Sequence, residues 1–222
     1  VANDPYAGAG SHLNDIAVIA PVFVGGRVIA FVANTAHHAD VGGRVPGSES
    51  GDSTSIFQDG LRLPVARIVS RGRIEDGLLR TILLNSRTPQ ERIGDLKAQL
   101  AANRAGGQRL TEIHAQYGPD LLGESMREIL DYTERRTRQG IAAMPDGVYE
   151  SEGFCDDDGL TDRPVRIRVA VTVRGDRIAL DFSGTDSQIQ GAKNVPTVSL
   201  LATVYYVLKA VIDPDIPPNA GY

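Results

Sequence analysis

The sequence contains one cysteine, Cys155, and no tryptophan. A lone cysteine forms no internal disulfide and builds no cysteine-based zinc or iron–sulfur site. Lysine is almost missing: Lys97, Lys193 and Lys209 are the only three in 222 residues, and none follows a glycine. Without a Gly-Lys step there is no P-loop, so any ATP that the protein uses is expected on a partner subunit or domain. Basic residues are not in excess, because the net charge is −5; a nucleic-acid footprint needs a basic face, and no nucleic-acid partner is expected. The longest apolar stretches, such as Ile16 to Val24, fall far short of the roughly 20 residues that span a bilayer, so no membrane partner is expected either. The chain opens Val1-Ala2-Asn3-Asp4-Pro5, with neither the charged nor the apolar region of a signal peptide, and the expected location is the cytoplasm. The closing Ile216-Pro217-Pro218-Asn219-Ala220-Gly221-Tyr222 reads as a turn cut in mid-course. The expectation is a piece of a longer polypeptide, with a processed or natively short protein as the alternative.

What is present is ordinary for a globular chain: 41% apolar and 23% charged residues, enough to bury a core as one large domain or two small ones. Two apolar runs, Ile16 to Val24 and Val28 to Ala33, flank Gly25-Gly26 and predict a β-hairpin, with Pro21 at an edge or bulge. Residues 40–64 are rich in Gly, Ser, Asp and Pro and predict a long irregular loop, of the kind that is usually functional or disordered. Residues 89–144 show helical spacing in two stripes, Ile93, Leu96, Leu100, Leu110, Tyr117 and then Leu122, Met126, Ile129, Leu130, Thr133. Eight acids and eight bases balance in that span, which predicts solvated outer faces and buried inner ones. Gly118-Pro119-Asp120 separates two antiparallel helices, and Gly106-Gly107 is a point where the first could break. Val165 to Val173 alternates as a strand, Arg174-Gly175-Asp176-Arg177 turns, and Ile178 to Phe182 returns. Ser199 to Ile212 predicts a closing helix stopped by Asp213-Pro214. The fold class expected is α+β: a β-rich part over 1–88, a helical hairpin over 89–145, and a second β part with a C-terminal helix over 146–222, possibilities that include a single domain.

Three of the four histidines lie between residues 12 and 38. They occur in His12-Leu13-Asn14-Asp15 and His37-His38-Ala39-Asp40. Imidazoles and carboxylates together suit a divalent first-row metal. His12 and Asp15 would face opposite sides of a straight strand, so they need a turn to converge, and Gly8 to Ser11 could supply one. A hairpin over 16–34 would return His37 and His38 beside them. Two histidines and one aspartate could fill one face of a metal and leave other positions open, the layout of a catalytic site. A plainer reading stands beside it, in which adjacent histidines at a strand end are hydrogen-bonded core or loop residues. Asp40 is most simply a turn or cap residue before Gly42-Gly43. His114 lies on a helix stripe and reads as structural. Cys155 beside Asp156-Asp157-Asp158-Gly159 lacks EF-hand spacing and reads as a solvated turn. Gly47-Ser48-Glu49-Ser50-Gly51 is out of register for a nucleophile elbow.

Asn3-Asp4-Pro5-Tyr6, Ser11-His12-Leu13-Asn14-Asp15, His37-His38-Ala39-Asp40-Val41-Gly42-Gly43 with Pro46-Gly47-Ser48, Asp181-Phe182-Ser183-Gly184-Thr185 and Asp213-Pro214-Asp215-Ile216-Pro217-Pro218-Asn219-Ala220-Gly221 occur in that order along the chain. Together they resemble the hydantoinase B/oxoprolinase family. That family includes the B-type subunits of ATP-dependent N-methylhydantoinases, the C-terminal half of 5-oxoprolinase, and subunits of acetone and acetophenone carboxylases. The resemblance implies a division of labour. An A-type subunit or domain binds ATP and phosphorylates a carbonyl or amide oxygen, and the B-type subunit completes the conversion in a hetero-oligomer. It implies a divalent metal (manganese, zinc or iron) on residues matching His12, Asp15 and His37. His38 and Asp40 match the same motif and stand as candidate catalytic residues in a supporting role. Glu49 stands where the family commonly has Met. The implied function is ring opening of a cyclic amide such as a hydantoin or 5-oxoproline. A ketone carboxylase subunit and a non-catalytic scaffold are the alternatives.

Overall fold

The apolar runs around Gly25-Gly26 pair as antiparallel strands, β1 (Asp15–Val24) and β2 (Arg27–His37). Both glycines are left-handed, with φ of 56° and 78°, which is what a two-residue turn matched to strand twist requires. The ladder carries one irregularity, between Val22 and Phe23. Val24 and Phe23 pair with Arg27 and Val28, Val22 pairs with Ala30, and Ile29 is the extra residue. Pro21 lies in β1 beside that bulge and is exposed. Beyond it the register runs to Asp15 opposite His37.

The computed structural model describes residues 1–7 and 10–222. The chain divides into two compact units, Val1–Gly118 and Pro119–Tyr222. The helical span expected over 89–145 is therefore shared between them: α2 (Pro89–Tyr117) belongs to the first unit and α3 (Pro119–Ala142) to the second.

In the first unit the long segment over 40–64 is irregular apart from a single 3-10 turn, Ile56–Gln58. It is followed by a short hairpin, β3 (Val69–Ser70) and β4 (Arg73–Ile74), and by α1 (Asp76–Leu84). The sequence pattern announces none of these three, because strands of two residues and a helix of nine are too short for periodicity to register. Leu13, Ile16, Val41, Leu63, Ile68, Ile82 and Leu96 form the core, so the turn before β1, the irregular segment and both helices meet in one apolar cluster.

The inner face of α2 differs from the stripe expected. Its buried residues are Arg92, Leu96, Gln99 and Asn103, which keep helical spacing but are mostly polar. Gln99 donates from Nε2 to the Ile16 carbonyl at 2.8 Å, and Asn103 from Nδ2 to the Val18 carbonyl at 2.9 Å. Asn34 of β2 closes the network, donating to the Gln99 carbonyl at 2.9 Å and to Asn103 Oδ1 at 2.8 Å. The helix is bound to the hairpin by amides in a ladder of mutual bonds. It also does not break at Gly106-Gly107. A Cβ added at either glycine would touch Val32 or Val22 at 3.5 Å, so this turn rests on the hairpin, and tertiary contact outweighs a propensity cost of about 1 kcal/mol per glycine.

The second unit holds α3, an antiparallel meander of β5 (Gly147–Cys155), β6 (Val165–Arg174) and β7 (Arg177–Asp181), and α4 (Thr197–Ile212). The strand–turn–strand over 165–182 and the closing helix agree with the sequence. The buried face of α3 is Thr133, Thr137 and Ile141; Met126, Ile129 and Leu130 of the expected stripe are exposed. The segment after α4 lies on this helix through an Arg136–Asp213 ion pair of 2.5 Å and an Asn219–Thr133 hydrogen bond of 2.8 Å. Glu134 and Arg138 form an i,i+4 ion pair at 2.8 Å, and Arg135 pairs with Glu128 at 2.6 Å. The fold class is α+β, as expected.

Two substitutions test how α2 is held. Gly107→Ala is expected to stabilise the protein by about 0.5–1 kcal/mol, since the new methyl finds ordinary contact distance and a better helix former replaces glycine. Asn103→Leu is expected to destabilise it by about 1–3 kcal/mol, because the Val18 carbonyl and the Asn34 amide lose a buried partner. Denaturant unfolding of both variants reads the two signs.

Candidate metal centre

Strand alternation sorts the residues at the open end of the hairpin. Along β2 and just beyond, residues 32, 34, 36, 38 and 40 turn inward while 31, 33, 35, 37 and 39 face solvent. Asp15, cross-strand partner of His37, shares the outer face with it. The adjacent His37 and His38 therefore go to opposite sides.

His12 reaches the same place by a tight turn. The Asp15 N–H donates to the His12 carbonyl at 3.1 Å, closing residues 12–15. This is the turn that the spacing demanded, one step later in the chain than Gly8 to Ser11; Gly8 and Ala9 lie outside the described residues. The turn is held from below. Leu13 is in the core, and Asn14, 1% exposed, donates to the carbonyls of His38 at 2.8 Å and Gly47 at 3.0 Å. The His38 N–H returns a bond to the Asn14 carbonyl at 2.8 Å. Asn3, fully buried, donates to the carbonyls of Leu13 at 2.7 Å and Leu61 at 2.9 Å.

On this frame His12, Asp15 and His37 bring one ligand atom each within 4.8 Å of one another, the one such group of three among the described residues. His12 Nε2 lies 3.0 Å from Asp15 Oδ2, His37 Nδ1 lies 3.3 Å from Asp15 Oδ1, and the two ring nitrogens are 3.2 Å apart. Ligands about 2.1 Å from a common ion are roughly 3.0 Å apart at right angles and 3.4 Å apart at tetrahedral angles, so these spacings suit one small divalent cation. The donor chemistry agrees. His12 Nδ1 sits 2.6 Å from Glu49 Oε1, while His12 Nε2 faces the Asp15 carboxylate and the His37 ring. Ser11 Oγ, 3.0 Å from Asp15 Oδ2, supplies one donor to that carboxylate. The side chains of His12, Asp15 and His37 are 38%, 21% and 52% exposed, so the cluster is open to a substrate or water on one side.

The two candidate catalytic residues lie elsewhere. His38 is fully buried, with Nε2 3.0 Å from Gln99 Oε1. Burial depresses its basicity and outweighs the Gln99 hydrogen bond, which acts the other way, so the ring stays neutral. Asp40 is buried too. Burial alone would raise its pKa, but it accepts from the backbone N–H groups of Arg87 at 2.9 Å, Gly47 at 3.1 Å and Gly42 at 3.0 Å and from the Arg87 guanidinium at 3.0 Å, and the net shift is downward. Its carboxylate ties the 40–47 loop to the segment after α1. Gly42 and Gly43, both left-handed, let that loop pack backbone to backbone: an added Cβ would stand 2.5 Å from the Asn85 or the Gln58 carbonyl oxygen. A groove of about 950 Å³ lined by Val22, Phe23, Ile68, Lys97 and Arg104 contains none of the three clustered residues. His114 makes no side-chain contact that bears on the site. The Asp157–Asp158 turn spends its carboxylates on Gly159, Leu160, Thr161 and Lys193.

The model of the family described as Hydantoinase B/oxoprolinase matches residues 1–222. The chain belongs to that family. It is 36% identical over 221 residues to an uncharacterized protein of Methanocaldococcus jannaschii, covering all of this chain and 38% of the relative. It is 33% identical to the B-type subunit of a putative D-/L-hydantoinase from a Pseudomonas strain, over 99% of this chain and 39% of that one. The fold matches the crystal structure of an ATP-dependent caprolactamase from Pseudomonas jessenii with a TM-score of 0.87 and 29% identity, covering 99% of this chain and 38% of that chain. This chain thus spans about two-fifths of the length of these relatives.

Sequence pattern does not single out Glu49, Ser11, Asn14 and Gln99 as parts of the site. Asn14 and Ser11 stand inside the Ser-His-Leu-Asn-Asp run, and Gln99 lies on a helical stripe of polar residues. Nothing local points Glu49 at His12.

Asp40→Asn is expected to destabilise the protein by about 1–3 kcal/mol at neutral pH, since three backbone N–H groups lose a charged acceptor and the partly exposed Arg87 loses its counter-ion. A carboxyl with a depressed folded pKa stabilises above its unfolded value near 3.8 and loses that contribution as pH falls through the folded one. The gap between wild type and Asp40→Asn should therefore close below about pH 4, as read by denaturant unfolding across pH.

Proposed function

We propose that this chain is the metal-bearing part of a B-type subunit in an ATP-dependent hydrolase that opens cyclic amides of the hydantoin or 5-oxoproline type. The observation that carries the reading is the convergence of His12, Asp15 and His37 on the solvent face of the hairpin. Family membership supports it, as do relatives whose names specify hydantoinase and ATP-dependent caprolactamase activity, both directed at ring amides.

Amide resonance makes such a ring resistant to water. Transfer of a phosphoryl group from ATP to the amide oxygen removes that resonance and leaves the ring carbon open to attack. Water addition at that carbon, with expulsion of the ring nitrogen as an amine, opens the ring and leaves an acyl phosphate; a second water then releases phosphate and the carboxylate. The first step belongs to an A-type partner, since this sequence offers no P-loop. A divalent manganese, zinc or iron ion held by His12, Asp15 and His37 would polarise an oxygen and position the water. His38 and Asp40 act from behind: one braces α2 against the strand end through Gln99, and the other fixes the loop carrying Gly47. They are positioning residues in this scheme.

The test uses the full-length protein with its A-type partner, ATP, and in separate reactions a hydantoin, 5-oxoproline, or a ketone with bicarbonate. Ring-opened product and phosphate in equal amounts are expected with a cyclic amide, together with about one divalent metal per chain. Carboxylated product from the ketone alone would replace this reading with the carboxylase one. Asp15→Asn is expected to lower turnover at least 100-fold with the fold intact, because it removes the anionic ligand. Turnover and metal content both at wild-type level in that variant would make the chain a scaffold. His114→Gln is the control and should keep activity.

A further inference from the structure

Glu49 lies 34 residues beyond Asp15 in sequence, yet its carboxylate oxygen sits 2.6 Å from His12 Nδ1. The loop that brings it there is specified in detail. Gly47 and Ser48 are both left-handed, with φ of 85° and 64°, and a non-glycine residue in that region is uncommon. Ser48 is 3% exposed, and its hydroxyl accepts from the Val41 N–H and donates to the Gly42 carbonyl, each at 2.8 Å. The Gly47 carbonyl accepts from Asn14 at 3.0 Å, and the Gly47 N–H donates to Asp40 at 3.1 Å. The residues before Glu49 are thus tied to the strand end that carries His37 and to the turn that carries His12. Two consecutive left-handed residues reverse the chain and present the Glu49 side chain to the His12 ring.

A metal-ligating imidazole works only when its free nitrogen faces the ion, and the partner of its other nitrogen sets which one that is. We infer that Glu49 is a positioning residue that accepts the His12 Nδ1 proton and so keeps the Nε2 lone pair directed at Asp15 and His37. This rests on the metal reading of the His12, Asp15 and His37 cluster. The pair is more than half exposed at Glu49, so its contribution to stability is small. Its effect lies in ring orientation and tautomer. Ser11 acts in parallel on Asp15, so each of these two ligands has its own outer partner.

Two measurements on the full-length protein test this. The first is the nitrogen NMR spectrum of Zn²⁺-loaded protein labelled at histidine, with His12 assigned by its loss in His12→Gln. Wild type should show His12 protonated at Nδ1 and metal-bound through Nε2, and Glu49→Ala should lose that preference. A general loosening of the loop would not select one tautomer. The second is titration with Mn²⁺ and with Zn²⁺. Glu49→Ala should weaken binding by roughly 10–100-fold, and Glu49→Gln, whose amide oxygen still accepts from Nδ1, should weaken it less. Unchanged binding and tautomer in Glu49→Ala, with binding abolished in His12→Gln, would overturn the role of Glu49 and leave the metal reading standing. Equal losses in Glu49→Gln and Glu49→Ala would make Glu49 a ligand and overturn the positioning role. Wild-type binding in His12→Gln would overturn the metal reading and this inference with it.

Discussion

The register of the first hairpin governs the site. A strand pairing shifted by one residue turns every side chain to the other face. From the Gly25-Gly26 turn, an unbroken ladder would set Asp15 opposite Ala36 and place His37 out of line. The extra residue Ile29, opposite the step from Val22 to Phe23, shifts the pairing by one and sets Asp15 opposite His37. Bulges near functional sites often re-aim a side chain in this way. Here the bulge lies near the turn and its effect is felt at the far end, where the strand end meets the 12–15 turn.

A register so decisive needs to be held, and the amides on α2 hold it. Gln99 and Asn103 bond carbonyls of β1, while Asn34 of β2 bonds back to both. A one-residue slip would turn the buried Ile16, Val18 and Val22 to the solvent face, so apolar packing opposes it. Directional bonds to the Ile16 and Val18 carbonyls add to this, since displacement leaves buried amides unpaired at about 1–3 kcal/mol each. His38 joins the network through Gln99, which couples the inner face of the strand end to the helix while His37 stands on the outer face. The 40–49 loop is fastened to the same frame by Asp40 and Asn14. The turn, the strand end and the loop that surround the cluster are thus held by buried hydrogen bonds, while His12 and His37 remain open to solvent.

Much of this was written in local pattern. Gly25-Gly26 between apolar runs specifies a two-residue turn, the Val-Arg-Ile-Arg alternation specifies β6, and Asp213-Pro214 ends α4. A site of histidines with Asp15 could be proposed because a hairpin returns the chain to its starting point and because imidazole and carboxylate share a preference for divalent metals; the choice of His12, Asp15 and His37 came from the family resemblance. These inferences rest on residues close together in sequence, where turn geometry and periodicity act directly.

Tertiary structure decided the rest. Whether α2 breaks at Gly106-Gly107 depends on the Val22 and Val32 side chains against it, about 80 residues away in sequence. Polar Gln99 and Asn103 face inward because strand carbonyls wait there, which a hydrophobic stripe cannot announce. His38 and Asp40, close to His37 in sequence, were separated from it by strand alternation and by the burial that follows. Glu49 reached His12 through two left-handed residues and a set of loop bonds that no spacing encodes. The sequence by itself determined the α+β elements and the chemistry available to the site. Only the packing of distant segments, through register, burial and directional bonds, determined which of those groups meet.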